Sequence, residues 1–137
     1  MNFFLDNNLP PNWAACLSAC SRKQFASGVV GEVVHLKERF PGHTSDTDWI
    51  QALAKEKDWA ILSGDAFRKR SGVERKVLRD SGLSVFVLQS SWSSYEYWEK
   101  TAQLIHWWPR IVAQANAVQS LAMEVPWRTT GGRFKQL

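Results

Sequence analysis

Residues 45–67, SDTDWIQALAKEKDWAILSGDAF, decide the fold. Ser45-x-x-Asp48 has the spacing of a capping box, which opens a helix. Trp49, Ile50, Leu53 and Ala54 then follow in helical register and make one apolar stripe. The next run, Trp59-Ala60-Ile61-Leu62, has no polar alternation and stops at Ser63-Gly64-Asp65. A strand apolar on both faces belongs to a parallel sheet covered on both sides.

The same alternation extends outward. Residues 2–6 read as a short buried strand, and Pro10-Pro11 suits the first turn of a helix reaching about Cys20. Gly28 to Leu36, rich in valine, is the second strand candidate, followed by a loop with Pro41 and Gly42. Beyond the central stretch, a short helix over Val73–Asp80 is stopped by Ser81-Gly82, and Ser84–Leu88 forms a fourth strand. Ser93-x-x-Glu96 is expected to cap a long helix over about 94–118, with Trp98, Ala102, Ile105, Trp108, Val112 and Ala115 on its apolar stripe. Pro109 should kink or break that helix near Trp108. Leu121–Val125 reads as a last, edge strand ended by Pro126. The expectation is an α/β fold: one domain over 1–137, with a mostly parallel central sheet of four to five strands and helices on both faces.

At 137 residues the chain can bury a proper core without staples. No stretch approaches the ~18–20 apolar residues of a membrane span, and no signal-peptide pattern opens the chain, so a cytoplasmic protein is expected. A net charge of +4 suits a polyanionic partner. Cys16 and Cys20 lack CxxC spacing and, sharing a helix face with Trp13 and Leu17, read as small core residues.

In a parallel sheet, sites form outside the carboxyl ends of the strands. Asp6 ends the first strand and Asp65 the third, while Asp46 lies in the first turn of a helix starting at that edge. At ~100° per residue Asp46 points with the apolar stripe and Asp48 points away, toward solvent or the Ser45 cap. Asp also serves turns and caps, so it is the convergence of Asp6, Asp46 and Asp65 that matters. Three crowded carboxylates need a cation, and oxygen ligands select Mg²⁺ or Mn²⁺. Such an ion can activate a water against phosphorus. Asn7, Asn8 and Ser63, with Asp48 farther out, are the groups available to orient carboxylates or metal-bound waters.

Cations follow directly: Arg68, Lys69, Arg70, Arg75, Lys76 and Arg79 could hold phosphates on either side of a scissile bond. Of the eight tryptophans, Trp98 and Trp108 are assigned to core or a dimer interface. Trp92, Trp107 and Trp127 look less constrained, and Trp127-Arg128 is placed to stack on unpaired bases. His35, His43 and His106 are scattered and receive no role.

FFLDNNLPP at residues 3–11 together with the stretch 45–67 resembles the PIN-like domains, in particular the branch containing VapC-type toxins of bacterial toxin–antitoxin pairs. Asp6, Asp46 and Asp65 fall on that family's three acidic positions, and Ser63 on its Thr/Ser position. The resemblance covers the first half of the chain closely. It implies a three-layer sandwich and a Mg²⁺- or Mn²⁺-dependent endoribonuclease, often a homodimer, neutralised by a cognate antitoxin that covers the acidic site. Asn7 stands where many relatives carry a second acid and no fourth acid follows Asp65, which leaves one metal or two open. Two alternatives remain: a degenerate PIN-like module that binds RNA or protein without cutting, and a receiver-like phospho-switch. The second lacks a lysine after its late strand, at Val87-Leu88-Gln89-Ser90.

Overall fold

Phe3 and Leu5 pack on one face of the first strand and Phe4 on the other, all essentially without exposure, so this strand must be covered on both sides. The computed structural model describes residues 1–64 and 72–137, without the side chains of 73 and 74. Its elements are β1 (Asn2–Leu5), α1 (Pro11–Ser21), β2 (Val33–His35), α2 (Leu36–Arg39), α3 (Asp46–Glu56), β3 (Trp59–Ser63), α4 (Gly72–Ser81), β4 (Ser84–Leu88), a 3₁₀ turn (Ser90–Ser94), α5 (Tyr97–Ala117), β5 (Ala122–Val125) and β6 (Lys135–Gln136).

Among the described residues these strands form one six-stranded sheet in the order β2-β1-β3-β4-β5-β6. The first five are parallel and β6 runs antiparallel to β5. Phe3, Leu5, Leu62, Phe86 and Leu88 join α1 and α5 in one apolar layer. Phe4, Ile61, Val85 and Val87 join Trp49, Ile50 and Leu53 of α3 in the other. This is the expected α/β three-layer sandwich. No described helix is long and apolar enough to cross a membrane.

Several elements depart from their sequence reading. β5 is not an edge, because β6 pairs beyond it. The second strand shrinks to three residues because glycines interrupt the valine run. At Gly31 a side chain would sit 2.2 Å from Asn2 Oδ1, which accepts from the Glu32 amide. The long helix begins at Tyr97, not after Ser93: Ser93 Oγ donates within the 3₁₀ turn, and the Glu96 amide donates to Glu99 Oε1 at 3.4 Å. That helix runs unbroken through Pro109, which lies on the exposed face where water can meet the carbonyl left without its donor.

The buried stripe of α5 is Leu104, Trp107, Trp108, Ile111, Val112 and Ala115. Trp98 is 79% exposed and Ile105 40%, so neither belongs to the core, whereas Trp92 and Trp107 do. The Trp108 indole donates to Ser21 Oγ and the Trp13 indole to Thr101 Oγ1, each at 2.8 Å, tying α1 to α5. On α1 the buried face is Trp13, Ala14, Leu17 and Ser21, which leaves Cys16 half-buried and Cys20 exposed rather than in the core. Partial burial raises the Cys16 thiol pKa, with Cys20 one turn on adding to the rise.

Candidate active site at the carboxyl edge of the sheet

Asp6 leaves β1 in a tight turn: its amide donates to the Leu62 carbonyl and its own carbonyl accepts from the Leu9 amide, both at 3.0 Å. The side chain is only 2% exposed. Oδ1 accepts the Asn7 amide at 2.6 Å and Oδ2 accepts the Ser63 hydroxyl at 3.0 Å. Each carboxylate oxygen is therefore oriented by at least one donor. The register β1–β3 pairs Leu5 with Leu62, which brings the next residue on each strand, Asp6 and Ser63, side by side.

The loop after Asp6 is stitched down twice. Asn8 Oδ1 accepts the Gly64 amide at 3.0 Å, and a side chain at 64 would meet Asn8 Cγ at 3.1 Å. On the other side sits His35, wholly buried at the end of β2. Its Nε2 lies 2.8 Å from the Leu9 carbonyl and its Nδ1 accepts the Lys37 amide at 3.1 Å. With Nδ1 accepting, Nε2 is the ring nitrogen left to donate to the Leu9 carbonyl. The His35 amide in turn donates to Glu38 Oε2 at 3.0 Å. Sequence reasoning gave His35 no role; the His35-x-x-Glu38 capping spacing was the available signal.

Asp46 opens α3 half-buried, with Oδ1 accepting the Trp49 indole N–H at 2.9 Å. The Trp49 ring packs on Phe4 with centroids 4.9 Å apart, so the helix bearing Asp46 is anchored on the strand that ends at Asp6. Asp48 is exposed, and its amide donates to Ser45 Oγ at 3.2 Å, the expected cap. Asn7 and Asn8 are exposed, as are Arg75 and Lys76 on α4. Asp65, Arg68, Lys69 and Arg70 lie outside the described residues.

Among the described residues no three His, Cys, Asp or Glu side chains are grouped closely enough to hold a metal ion. Carboxylate oxygens are the donor type a hard divalent cation takes, and Asp6 offers two, while Asp65 follows Ser63-Gly64 directly in the chain. Beside the Asn8–Gly64 pair opens a cleft of about 130 Å³ walled by Pro10, Ser90, Ser93 and Lys100. Trp127 does not offer two free faces, because Tyr95 stacks on it at 3.7 Å and 7°.

The fold around Asp6 has a family counterpart. The PIN-like domain model matches residues 1–90, the segment from β1 through β4, and the chain belongs to the PIN-like domain family, whose wider superfamily includes nucleases. No curated protein and no solved structure matches the chain.

Proposed function

We propose that the protein is a metal-dependent endoribonuclease that hydrolyses RNA phosphodiester bonds and serves as the toxin of a VapC-type toxin–antitoxin pair. The observation that carries the reading is Asp6, a buried carboxylate with both oxygens oriented by Asn7 and Ser63 at a sheet edge. Burying a carboxylate costs free energy that hydrogen bonds and a cation recover. Asp6 and Asp65 would hold Mg²⁺ or Mn²⁺, with Asp46 holding the ion or orienting the attacking water. The ion would supply a deprotonated water at neutral pH and charge stabilisation at the leaving oxygen.

The chain's own residues do the rest. Ser63 and the Asn7 amide keep Asp6 aimed, and Asn8 fixes the turn that carries it. Arg68, Lys69, Arg70, Arg75 and Lys76 hold the RNA backbone on either side of the cut. Lys100, half-buried in the cleft beside Gly64, is placed to add one phosphate contact. A cognate antitoxin covers this edge, and a homodimer is the working assembly.

The test is cleavage of end-labelled RNA with Mg²⁺ or Mn²⁺, with and without chelator, by the wild type and Asp6→Asn. Chelation and Asp6→Asn are each expected to abolish cleavage while circular dichroism stays native. Undiminished cutting by Asp6→Asn would reject the site. Growth arrest on expression, relieved by the product of a neighbouring small reading frame, tests the toxin role separately. Asn7, in place of a second acid, favours one other reading, an RNA-binding module that does not cut. RNA binding without Mn²⁺ binding in a titration would establish it.

A further inference from the structure

Between Asp6 and the start of α1 the chain must turn, and its own backbone offers few donors to hold that turn. Pro10 and Pro11 have no amide hydrogen. The Leu9 amide already donates to the Asp6 carbonyl at 3.0 Å. The turn is held instead from the two strands that flank β1. On the β3 side, Asn8 Oδ1 accepts the Gly64 amide and the Ser63 hydroxyl reaches Asp6 itself. On the β2 side, the His35 ring meets the Leu9 carbonyl, with Nε2 at 2.8 Å.

We infer that His35 is a positioning residue for Asp6, a tether that fixes the turn behind the carboxylate from the β2 side. Three observations support this. The parallel register sets His35 level with Leu5, so strand pairing delivers the ring to the end of β1, where the turn begins. The residue is wholly buried, and a buried imidazole is costly unless its nitrogens are bonded, as both are here. Finally, the two bonds go to different elements: Nδ1 accepts the Lys37 amide in α2, while Nε2 donates to Leu9 across 26 residues of chain. Capping α2 requires only the first bond. The second makes the ring a rigid spacer between β2 and the turn, and an apolar residue at 35 would leave the Leu9 carbonyl without this donor. The bearing of the tether on catalysis rests on the nuclease reading of Asp6, whereas the tether itself does not.

Substitution can separate the two bonds. His35→Asn keeps an acceptor where Nδ1 lies and remains a good helix cap, but its side chain stops short of Leu9. His35→Gln carries an amide donor out to the position of Nε2 and gives up the cap. The experiment is NMR amide exchange on the full chain without metal, followed by Mn²⁺ titration. His35→Asn should speed exchange of the Leu9 and Asn7 amides about tenfold, the loss of one hydrogen bond, and weaken Mn²⁺ binding to a similar degree. His35→Gln should restore both while speeding exchange at Lys37. Unaltered exchange at Leu9 and Asn7 in His35→Asn, or equal acceleration there in both variants, would overturn the proposal. The wild type adds a check that needs no variant to fold: ring ¹H–¹⁵N spectra at neutral pH should show the proton on Nε2, and a proton on Nδ1 instead would overturn it. Failure of the wild type to bind Mn²⁺ would count against the nuclease reading, and the exchange rates would still decide the tether.

Discussion

Ser63 Oγ, the last side chain of β3, donates to Oδ2 of Asp6, the first residue beyond β1, at 3.0 Å and across 57 residues of chain. Both groups are buried, and the parallel register makes them neighbours without any loop rearrangement. A stiff sheet therefore sets the direction of the carboxylate, and the hydroxyl sets its rotation.

Replacing that hydroxyl tests its worth. Ser63→Ala leaves a buried carboxylate oxygen short of a donor, and hydrogen bonds to charged groups contribute roughly 1.5–3 kcal/mol. Urea unfolding should show a lower midpoint at unchanged slope, and RNA cleavage should fall more steeply than stability. A midpoint equal to that of the wild type would mean the bond contributes nothing.

Gly64 should resist even alanine. The added carbon would sit 3.1–3.2 Å from the Asn8 side chain atoms, tight enough to push Asn8 off the Gly64 amide. A loss of about 1 kcal/mol is expected. Because Asn8 is the obstacle, the double variant Asn8→Ala/Gly64→Ala should lose less than the two single losses added together. Strict additivity in that cycle would show that the two residues do not communicate.

Trp49 offers a cleaner dissection of Asp46. Trp49→Phe keeps an aromatic ring against Phe4 but deletes the indole N–H that reaches Asp46 Oδ1. The expectation is a stability change near 1–2 kcal/mol from the smaller ring and the lost bond, with a larger proportional drop in cleavage. Cleavage that merely tracks the folded fraction would assign Trp49 to packing alone.

The expected pH response is small and has a defined sign. Arg39 donates to Glu56 at 2.7 Å and lowers the Glu56 pKa, chiefly through that hydrogen bond. A depressed folded-state carboxyl stabilises the fold above the ordinary glutamate range and loses that contribution as pH falls through the folded value. Side-chain exposures of 29% and 44% keep the pair under about 1 kcal/mol. The stability gap between wild type and Glu56→Gln should therefore shrink from pH 7 toward pH 3. A gap that widens in acid would refute the assignment.

How far the sequence could be read depended on how local the determining physics was. The segment from Ser45 to Ser63 was legible because a cap, a helical stripe and a doubly apolar strand each leave a short-range pattern. The carboxylates at positions 6 and 46 were legible as a strand end and a helix start. The face of α5 was legible only in part: Trp108, Val112 and Ala115 are buried as expected, but apolar residues occupy two adjacent stripes, and Trp107 and Ile111 are buried where Trp98 and Ile105 are exposed. What separates them is a tertiary contact, the Trp108 indole on Ser21. β6 has two residues, too few for any period, and exists only because β5 offers it an edge. His35 could be found only as a helix cap, through its spacing to Glu38, because its other partner, the Leu9 carbonyl, lies 26 residues away. The expectations for Asp65, Arg68, Lys69 and Arg70 fall outside the described residues.

Of the described strands, the first to be synthesised lies between the second and the third in space. A ribosome adding about 5–20 residues per second thus delivers Asp6 seconds before either neighbour of β1 exists. Until Ser63 emerges, the nascent acid has no hydroxyl to set its rotation and no sheet to bury it. A polypeptide terminated within that interval would carry the aspartate but not its alignment, so any cutting would have to wait for translation to pass β3.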